Sequence, residues 1–416
     1  MIEHDAASND EDGRDKLRLW VVSEVYYPEE TSTGYYMTAI AEGLSYKFDV
    51  KVLCGQPNYL ARGVRAPKGE HRRNTEIIRV SGTTLNKNVL LFRLINMATH
   101  GLSMFGQAVR RFRRPDRVLV VTTPPSMPFV VAFASLLKGS IYTLLIHDCY
   151  PEQAIATGIL KKGSLIVRLN EFLNRWLYKY AARIIVVGRD MKELIDRKTN
   201  GLDITVEVIP NWAETEYVRP TARKGNQLLH TLGIAEKLVI LHAGNIGRPT
   251  DVETVIESLI ELKDDERFHF VFIGSGAKRQ KLEIAIHRYG LKNLTLLPPL
   301  PRGDQIEFLN ACDIGLVSLV EGMLGAAMPS KTYNLMAAGK PILALTDPGS
   351  ELARVIDEEG IGWHLPPGDR VGLLKTLNEI YENREKLTAL GQRARRAAEE
   401  KYALAAAITN YERVVK

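Results

Sequence analysis

The sequence predicts an α/β protein built from two doubly wound, Rossmann-like domains. Three observations carry this. The 416 residues exceed what one hydrophobic core usually supports. Short apolar runs rich in β-branched residues alternate with helical patterns, as in parallel sheets crossed by helices. The alternation breaks once, where Val208-Ile209-Pro210-Asn211-Trp212 ends a strand at a proline and a polar stretch follows to Gly225.

The elements follow in order. Residues 1–15 carry Glu3, Asp5, Asp10, Glu11 and Asp12; so polar and acidic a segment reads as a disordered tail, the opposite of a signal peptide. A first domain, 16–212, offers strands at 17–23, 49–54, 76–81, 117–122, 141–146 and 183–187. A second, 213–395, offers them at 238–243, 269–273, 294–297, 314–318 and 341–345. The stretch 370–416, rich in Ala, Leu, Glu, Lys and Arg, reads as helical. Ligands of such sheets bind beyond the carboxyl ends of the strands.

Composition narrows the function. Cys54, Cys149 and Cys312 are too few and too scattered for a disulfide framework or a metal knuckle, which suits a reducing compartment. The longest apolar runs, such as 129–137, fall well short of the ~20 residues of a spanning helix. The net charge of +6 is mild but uneven. Between Arg62 and Arg117 thirteen Lys and Arg oppose only Glu70, Glu76 and Asp116, so this window alone carries +10. It predicts a polyanion or an anionic membrane surface as partner.

Inside that window, 88–114 reads as an amphipathic helix. Leu91, Leu94, Ile95, Ala98, Leu102, Phe105, Val109 and Phe112 recur at helical spacing and lead into Arg110, Arg111, Arg113 and Arg114. The same stripe suits a face buried on the core. The basic cluster tips the reading toward a membrane, at ~1 kcal/mol per cation near an anionic surface. No aromatic platform or recognised motif accompanies the charge, so nucleic acid is not expected.

The segments after the strands carry the candidate chemistry. Met328-Pro329-Ser330-Lys331 opens a helix, with Ser330 a good N-cap type; the helix closes on Gly339 before Lys340-Pro341 and a short apolar strand. Helix N–H groups beside a lysine suit a diphosphate. Ser23 to Gly34 is a strand-to-helix loop that also serves as a plain connection. His147-Asp148 ends a very apolar strand: His147 can donate to a developing charge and Asp148 can accept from a sugar hydroxyl, or the pair simply caps the next helix. Gly244-Asn245-Ile246-Gly247-Arg248 lets backbone approach a phosphate while Arg248 forks onto it. Gly274-Ser275-Gly276 lacks the third glycine of a dinucleotide fingerprint, with Arg279 in its place. Pro298-Pro299 either shapes a base pocket or is a rigid connector.

Taken together, His147-Asp148…Pro151-Glu152, Gly244 to Arg248, Gly274-x-Gly276 and Pro329-Ser330-Lys331-x-Tyr333…Ala337-Ala338-Gly339-Lys340-Pro341 resemble the ordered motifs of family-4 nucleotide-sugar glycosyltransferases. The branch they look most like builds bacterial surface polysaccharides. The resemblance implies a GT-B fold, two Rossmann-like domains facing across a cleft, with 396–416 returning to the first domain. It implies retaining transfer from a UDP- or GDP-sugar, with Gly34, Gly244, Asn245, Gly247, Arg248, Gly274, Pro299, Ser330, Lys331 and Asn334 at the donor and His147, Asp148 and Glu321 as catalytic candidates. Outside the acidic tail the chain holds no Asp-x-Asp, so neither a metal nor another cofactor is expected. An undecaprenyl-diphosphate-linked acceptor would place the enzyme in the cytoplasm, peripheral on the inner face of the cell membrane.

The chain departs from the family pattern at Thr33, where the first of two glycines is usual, at Thr250, where many members carry a lysine, and at the paired glutamates. Where many members carry two glutamates eight positions apart, it has Ala326 and Asn334. Glu321 is carried over from the neighbouring Glu321-Gly322-Met323-Leu324-Gly325 segment, and a solvent-facing loop glutamate is the other reading. A two-domain nucleotide-sugar epimerase and a catalytically silent donor-binding protein remain as alternatives.

Overall fold

A computed structural model describes residues 16–57, 65–83, 85 and 90–416. The tail expected to be disordered at 1–15, Arg62 and Lys87 lie outside them.

The first domain opens with β1 (Arg18–Ser23), α1 (Ser32–Leu44), β2 (Asp49–Cys54), β3 (Gly69–Arg72) and β4 (Thr75–Arg79). It continues with α2 (Leu90–Arg111), β5 (Arg117–Val121), α3 (Met127–Lys138) and β6 (Ile141–Ile146). It ends with α4 (Glu152–Ala156), α5 (Leu165–Tyr180), β7 (Arg183–Val186), α6 (Arg189–Lys198) and β8 (Thr205–Val208). Among the described residues these strands form one sheet in the order β3-β4-β2-β1-β5-β6-β7-β8. Every pairing is parallel except β3 with β4. Right-handed crossovers place α2, α3 and α5 on one face, where α2 packs on α3 and α3 on α5.

The second domain begins with α7 (Gln227–Leu232), β9 (Leu238–Ala243), α8 (Val252–Glu261), β10 (Phe268–Ile273), α9 (Arg279–Tyr289) and β11 (Leu294–Leu297). A 3₁₀ turn at Arg302–Asp304 leads to α10 (Gln305–Asn310), β12 (Ile314–Ser318), α11 (Lys331–Ala337), β13 (Ile342–Leu345), α12 (Glu351–Glu359) and β14 (Gly362–Leu365). Its described strands pair in parallel in the order β11-β10-β9-β12-β13-β14. Two packed α/β domains of this kind are the GT-B architecture. β3 (Gly-Glu-His-Arg) and β14 (Gly-Trp-His-Leu) escaped the sequence reading because both are short edge strands without an apolar run.

The helical stretch after 370 is three helices: α13 (Arg370–Glu382), α14 (Lys386–Glu400) and α15 (Leu404–Val415). α14 packs on α11 and α12; α15 packs on α1 and beside β5 in the first domain. The return runs through Lys401 to Ala403, where Ala213 N donates to Tyr402 O at 2.9 Å. Gly43 of α1 makes room for it, since a Cβ there would meet Ile408 Cδ1 at 2.6 Å.

Two expectations for the basic window are corrected. The buried ridge of α2 is Met104 and Ala108, continued by Phe112 just past its end, with Phe105 and Val109 partly covered. Leu102, assigned to the same stripe, is 71% exposed, and Ala98 is exposed too; the side chains of Leu91, Arg93 and Leu94 lie outside the description. Nor do the cations form one patch. Arg79 is buried, donating to Pro67 O, Tyr27 O and Glu70, while Arg72 and Arg73 pair with Glu42. A charge count along the chain cannot see which cations the fold draws inward.

Candidate active site

Three turns of the second domain meet at the carboxyl ends of its strands. Gly274 lies at φ 145° and a Cβ on it would stand 1.9 Å from Gly244 O; Gly276, at φ 149°, would meet Ile246 O at 2.4 Å. Only glycine lets the two loops touch. Arg279, which breaks the dinucleotide fingerprint, fastens this junction. Its guanidinium donates to Gly274 O at 2.8 Å and to Leu297 O at 2.7 Å, next to the exposed Pro298 and Pro299. A backbone junction is what it holds together.

Lys331, the first residue of α11, sits against these loops: a Cβ on Gly244 (φ 135°) would lie 3.5 Å from its Cε. Lys331 Nζ is 2.8 Å from His242 Nε2, and the imidazole stacks on Phe272 with centroids 4.9 Å apart. Burial pulls the lysine down to about 7. The imidazole is held well below its ordinary value, first by burial and then by the lysine's charge. Asn245 and Arg248 are exposed on the same loop, and a Cβ on Gly247 would meet Asn245 Nδ2 at 2.8 Å.

Ser330 occupies the N-cap position of α11, but its side chain does not cap the helix. It accepts from Ser32 Oγ at 2.7 Å instead. Ser32 begins α1, whose cap is Thr31 accepting from Gly34 N at 3.2 Å. A Cβ on Gly34 would press Glu29 O at 2.5 Å, so this loop needs its glycine. The first turns of α1 and α11 thus meet from opposite domains.

His147 and Asp148 stand at the end of β6, beside the second domain: Asp148 bridges Ala327, and Cys149 N donates to Ala326 O at 2.7 Å. His147 N donates to Thr122 Oγ1 at 3.2 Å, its ring lies edge-on to Tyr36, and its buried Nε2 has no protein partner. Burial lowers the imidazole to about 4, so it is neutral at physiological pH. Burial raises the Asp148 carboxyl to about 6, although Gln153 donates to it at 2.7 Å.

Asn334 opens a cluster that sequence reading missed. Its Nδ2 donates to Glu214 Oε1 at 3.3 Å and to Gln305 Oε1 at 3.4 Å, and its Oδ1 is buried without a partner. Glu214 also pairs with Arg302, whose guanidinium lies 3.7 Å over the Tyr35 ring. A carboxylate therefore stands beside Asn334 after all, supplied from the interdomain segment 120 positions away. Glu321, by contrast, is solvent-exposed at the outer turn of its loop, where Asp347 accepts from Gly322 N and Leu324 N. Of the candidates, the structure gathers Gly244, Gly274, Ser330 and Lys331, places His147 and Asp148 across the interface, and leaves Glu321 apart.

The comparisons agree with this architecture. Residues 33–212 match the glycosyl transferase 4-like domain and residues 230–397 match glycosyl transferases group 1. The chain is 34% identical to the "Probable glycosyltransferase WbjE" of Pseudomonas aeruginosa, over 92% of this chain and 94% of that one. It is 25% identical to the "Putative colanic acid biosynthesis glycosyl transferase WcaI" of Escherichia coli K12, over 82% and 86%. Among solved structures, sucrose-phosphate synthase from Thermosynechococcus elongatus superposes with a TM-score of 0.75 at 14% identity, covering 96% of this chain and 98% of the other. HepE of Anabaena, solved with UDP and glucose, gives 0.73 at 14% identity over 95% and 98%. With its group 1 and 4-like domains, its GT-B fold and its full-length similarity to WbjE, the chain belongs to the family-4 glycosyltransferases.

Proposed function

We propose that the protein is a retaining transferase that moves a sugar from a UDP- or GDP-sugar to a lipid-linked saccharide acceptor, without a divalent metal, at the inner face of the cell membrane. One observation carries the donor half: a half-buried lysine, backed by His242, set against two glycine loops whose backbones touch. Bond breaking at the anomeric carbon puts negative charge on the departing diphosphate. Lys331, the exposed Arg248 and the loop N–H groups are fixed donors for that charge, the task a metal performs elsewhere. The anomeric C–O bond to phosphate breaks, the acceptor oxygen bonds to the same carbon, and the acceptor's proton passes to the departing phosphate. His147, neutral throughout the working range, orients and donates rather than acting as a strong base.

UDP in the HepE structures, in one case as UDP-glucose, supports a nucleotide-sugar donor. The colanic acid pathway named for WcaI and the lipopolysaccharide pathway named for the structurally similar WaaG support a surface-polysaccharide acceptor. The silent-binder reading rested on losing paired glutamates, and Glu214 beside Asn334 removes much of its motive.

The test is thermal stabilisation by UDP, GDP and their sugars, with EDTA present. A shift with one nucleotide, larger with one of its sugars, names the donor. No shift with any of them, in EDTA or after magnesium is restored, would defeat the donor site; a shift that appears only with the metal would defeat metal independence. Conversion of the donor with no acceptor present would instead make it an epimerase.

A further inference from the structure

Helix α5 is turned inside out. Leu165, Ile166, Leu169, Phe172 and Leu173 recur at helical spacing and all face solvent, Leu165 at 81% and Phe172 at 71% exposure. Its inward face instead carries Asn174, which donates to Tyr150 O at 2.7 Å, beside Val167, Leu177 and Tyr178. A core helix of a globular protein shows the reverse arrangement. The neighbouring α3 extends the surface with exposed Phe133, Leu136 and Leu137, and α2 with Leu102. So many exposed apolar side chains on helices that pack against one another mark an interaction site.

The charges around it identify the partner. Lys161, Lys162, Arg168 and Lys179 are exposed on and before α5, Arg110 and Arg111 on α2, while Glu171 is the exposed acid on α5. An apolar stripe flanked by cations is the pattern of a helix lying in the interface of an anionic bilayer. Two copies of this face brought together about a two-fold axis would set the same cations against one another, which disfavours a self-contact. Among the described residues no helix is long and apolar enough to cross a membrane, so the helix would lie on the surface.

We infer that the outward faces of α5 and α3 are a docking surface for an anionic phospholipid membrane. This rests on the transferase reading above and narrows the membrane contact of the 62–117 window, where Arg72, Arg73 and Arg79 are internally paired, to its Leu102, Arg110 and Arg111 beside α3 and α5. The placement suits a lipid-linked acceptor. Asn170 and Asn174, on the inner side of α5, line the same recess as Asp148 and Phe129. The membrane would then lie about one helix diameter, ~10 Å, from the acceptor side of the site.

The test is flotation of the full-length protein with vesicles of phosphatidylcholine alone or mixed with phosphatidylglycerol, for wild type, L169D/F172D and K161E/K162E. The wild type should float with the mixed vesicles and release at high salt, and each variant should bind roughly tenfold or more weakly with an unchanged Tm. Mixed-vesicle binding that L169D/F172D leaves intact overturns the assignment. So does a wild-type dimer that the same variant makes monomeric, with no vesicle binding. Nucleotide stabilisation of the same preparations separates the two readings: its absence in wild type defeats the transferase, whereas a shift retained in a vesicle-blind variant supports a surface distinct from the donor site.

Discussion

Lys331 Nζ lies 2.8 Å from His242 Nε2, an amine and an imidazole both pushed toward neutrality by burial in the same wall of the cleft. On the proposed donor reading, a diphosphate arriving there would restore the ammonium ion. The site is therefore a cation held in reserve, and its pH behaviour follows.

Donor binding should take up a proton. Below about pH 7 Lys331 is already charged in the free protein and affinity is flat. Above it the lysine must be protonated to bind, so affinity falls by up to tenfold per unit until the pKa of the complex is reached. Calorimetry at pH 8 in buffers of different ionisation enthalpy should show uptake approaching one proton. Binding that is independent of pH from 6 to 9 would refute this.

Removing the lysine should separate stability from activity. Its folded pKa, about 7, is below its ordinary 10.5. In that window the unfolded chain binds more protons, so stability rises with pH; the cost is largest below pH 7 and disappears above 10.5. Lys331→Met should then raise Tm at pH 6 by more than at pH 10, while lowering kcat by roughly 10²–10³-fold. An equal Tm shift at both pH values would show that burial of the charge is not what the lysine costs.

The acid limb of kcat/KM should belong to Asp148. Its carboxyl titrates near 6 and His147 near 4, so activity should fall as pH drops through 6. Asp148→Asn should abolish that limb, and His147→Gln should keep it while losing roughly 10²-fold in kcat. A limb that disappears with His147→Gln would reverse the two roles.

Glu214 should act on the nucleoside and not on the phosphates. Beside Asn334 it is placed to accept from a ribose hydroxyl, so Glu214→Gln should weaken nucleotide binding by roughly tenfold and leave inorganic pyrophosphate binding unchanged. If both weaken together with Tm, its role is to hold Arg302 and nothing more.

Gly274→Ala should cost more than about 3 kcal/mol, because its Cβ would overlap the Gly244 carbonyl at a φ of 145°. Gly158→Ala, at φ 70° with nothing within 4 Å of the added carbon, should cost about 1 kcal/mol. Denaturant melts of the two variants compare them directly.

Much of this molecule was legible along the chain. Apolar β-branched runs located the long strands, because a parallel strand buried on both faces has no polar positions to hide it. The turn glycines Gly244 and Gly274 were legible because a close backbone approach at a strand end demands a residue without a Cβ. β3 and β14 were not, since edge strands owe their form to a neighbour.

What the sequence determined by itself was periodicity, turn chemistry and the order of motifs. Tertiary structure alone decided which residues those motifs meet. Ser32 reaches Ser330 across 298 positions, a pairing that exists only when two domains close on each other, and Glu214 reaches Asn334 across 120, a pairing made by the folding of the second half of the chain. It also decided the sense of each amphipathic face. A stripe at helical spacing says that a helix has an apolar side, but whether that side points to the core, as at Met104 and Phe112, or to solvent, as at Leu169 and Phe172, depends on what packs against it.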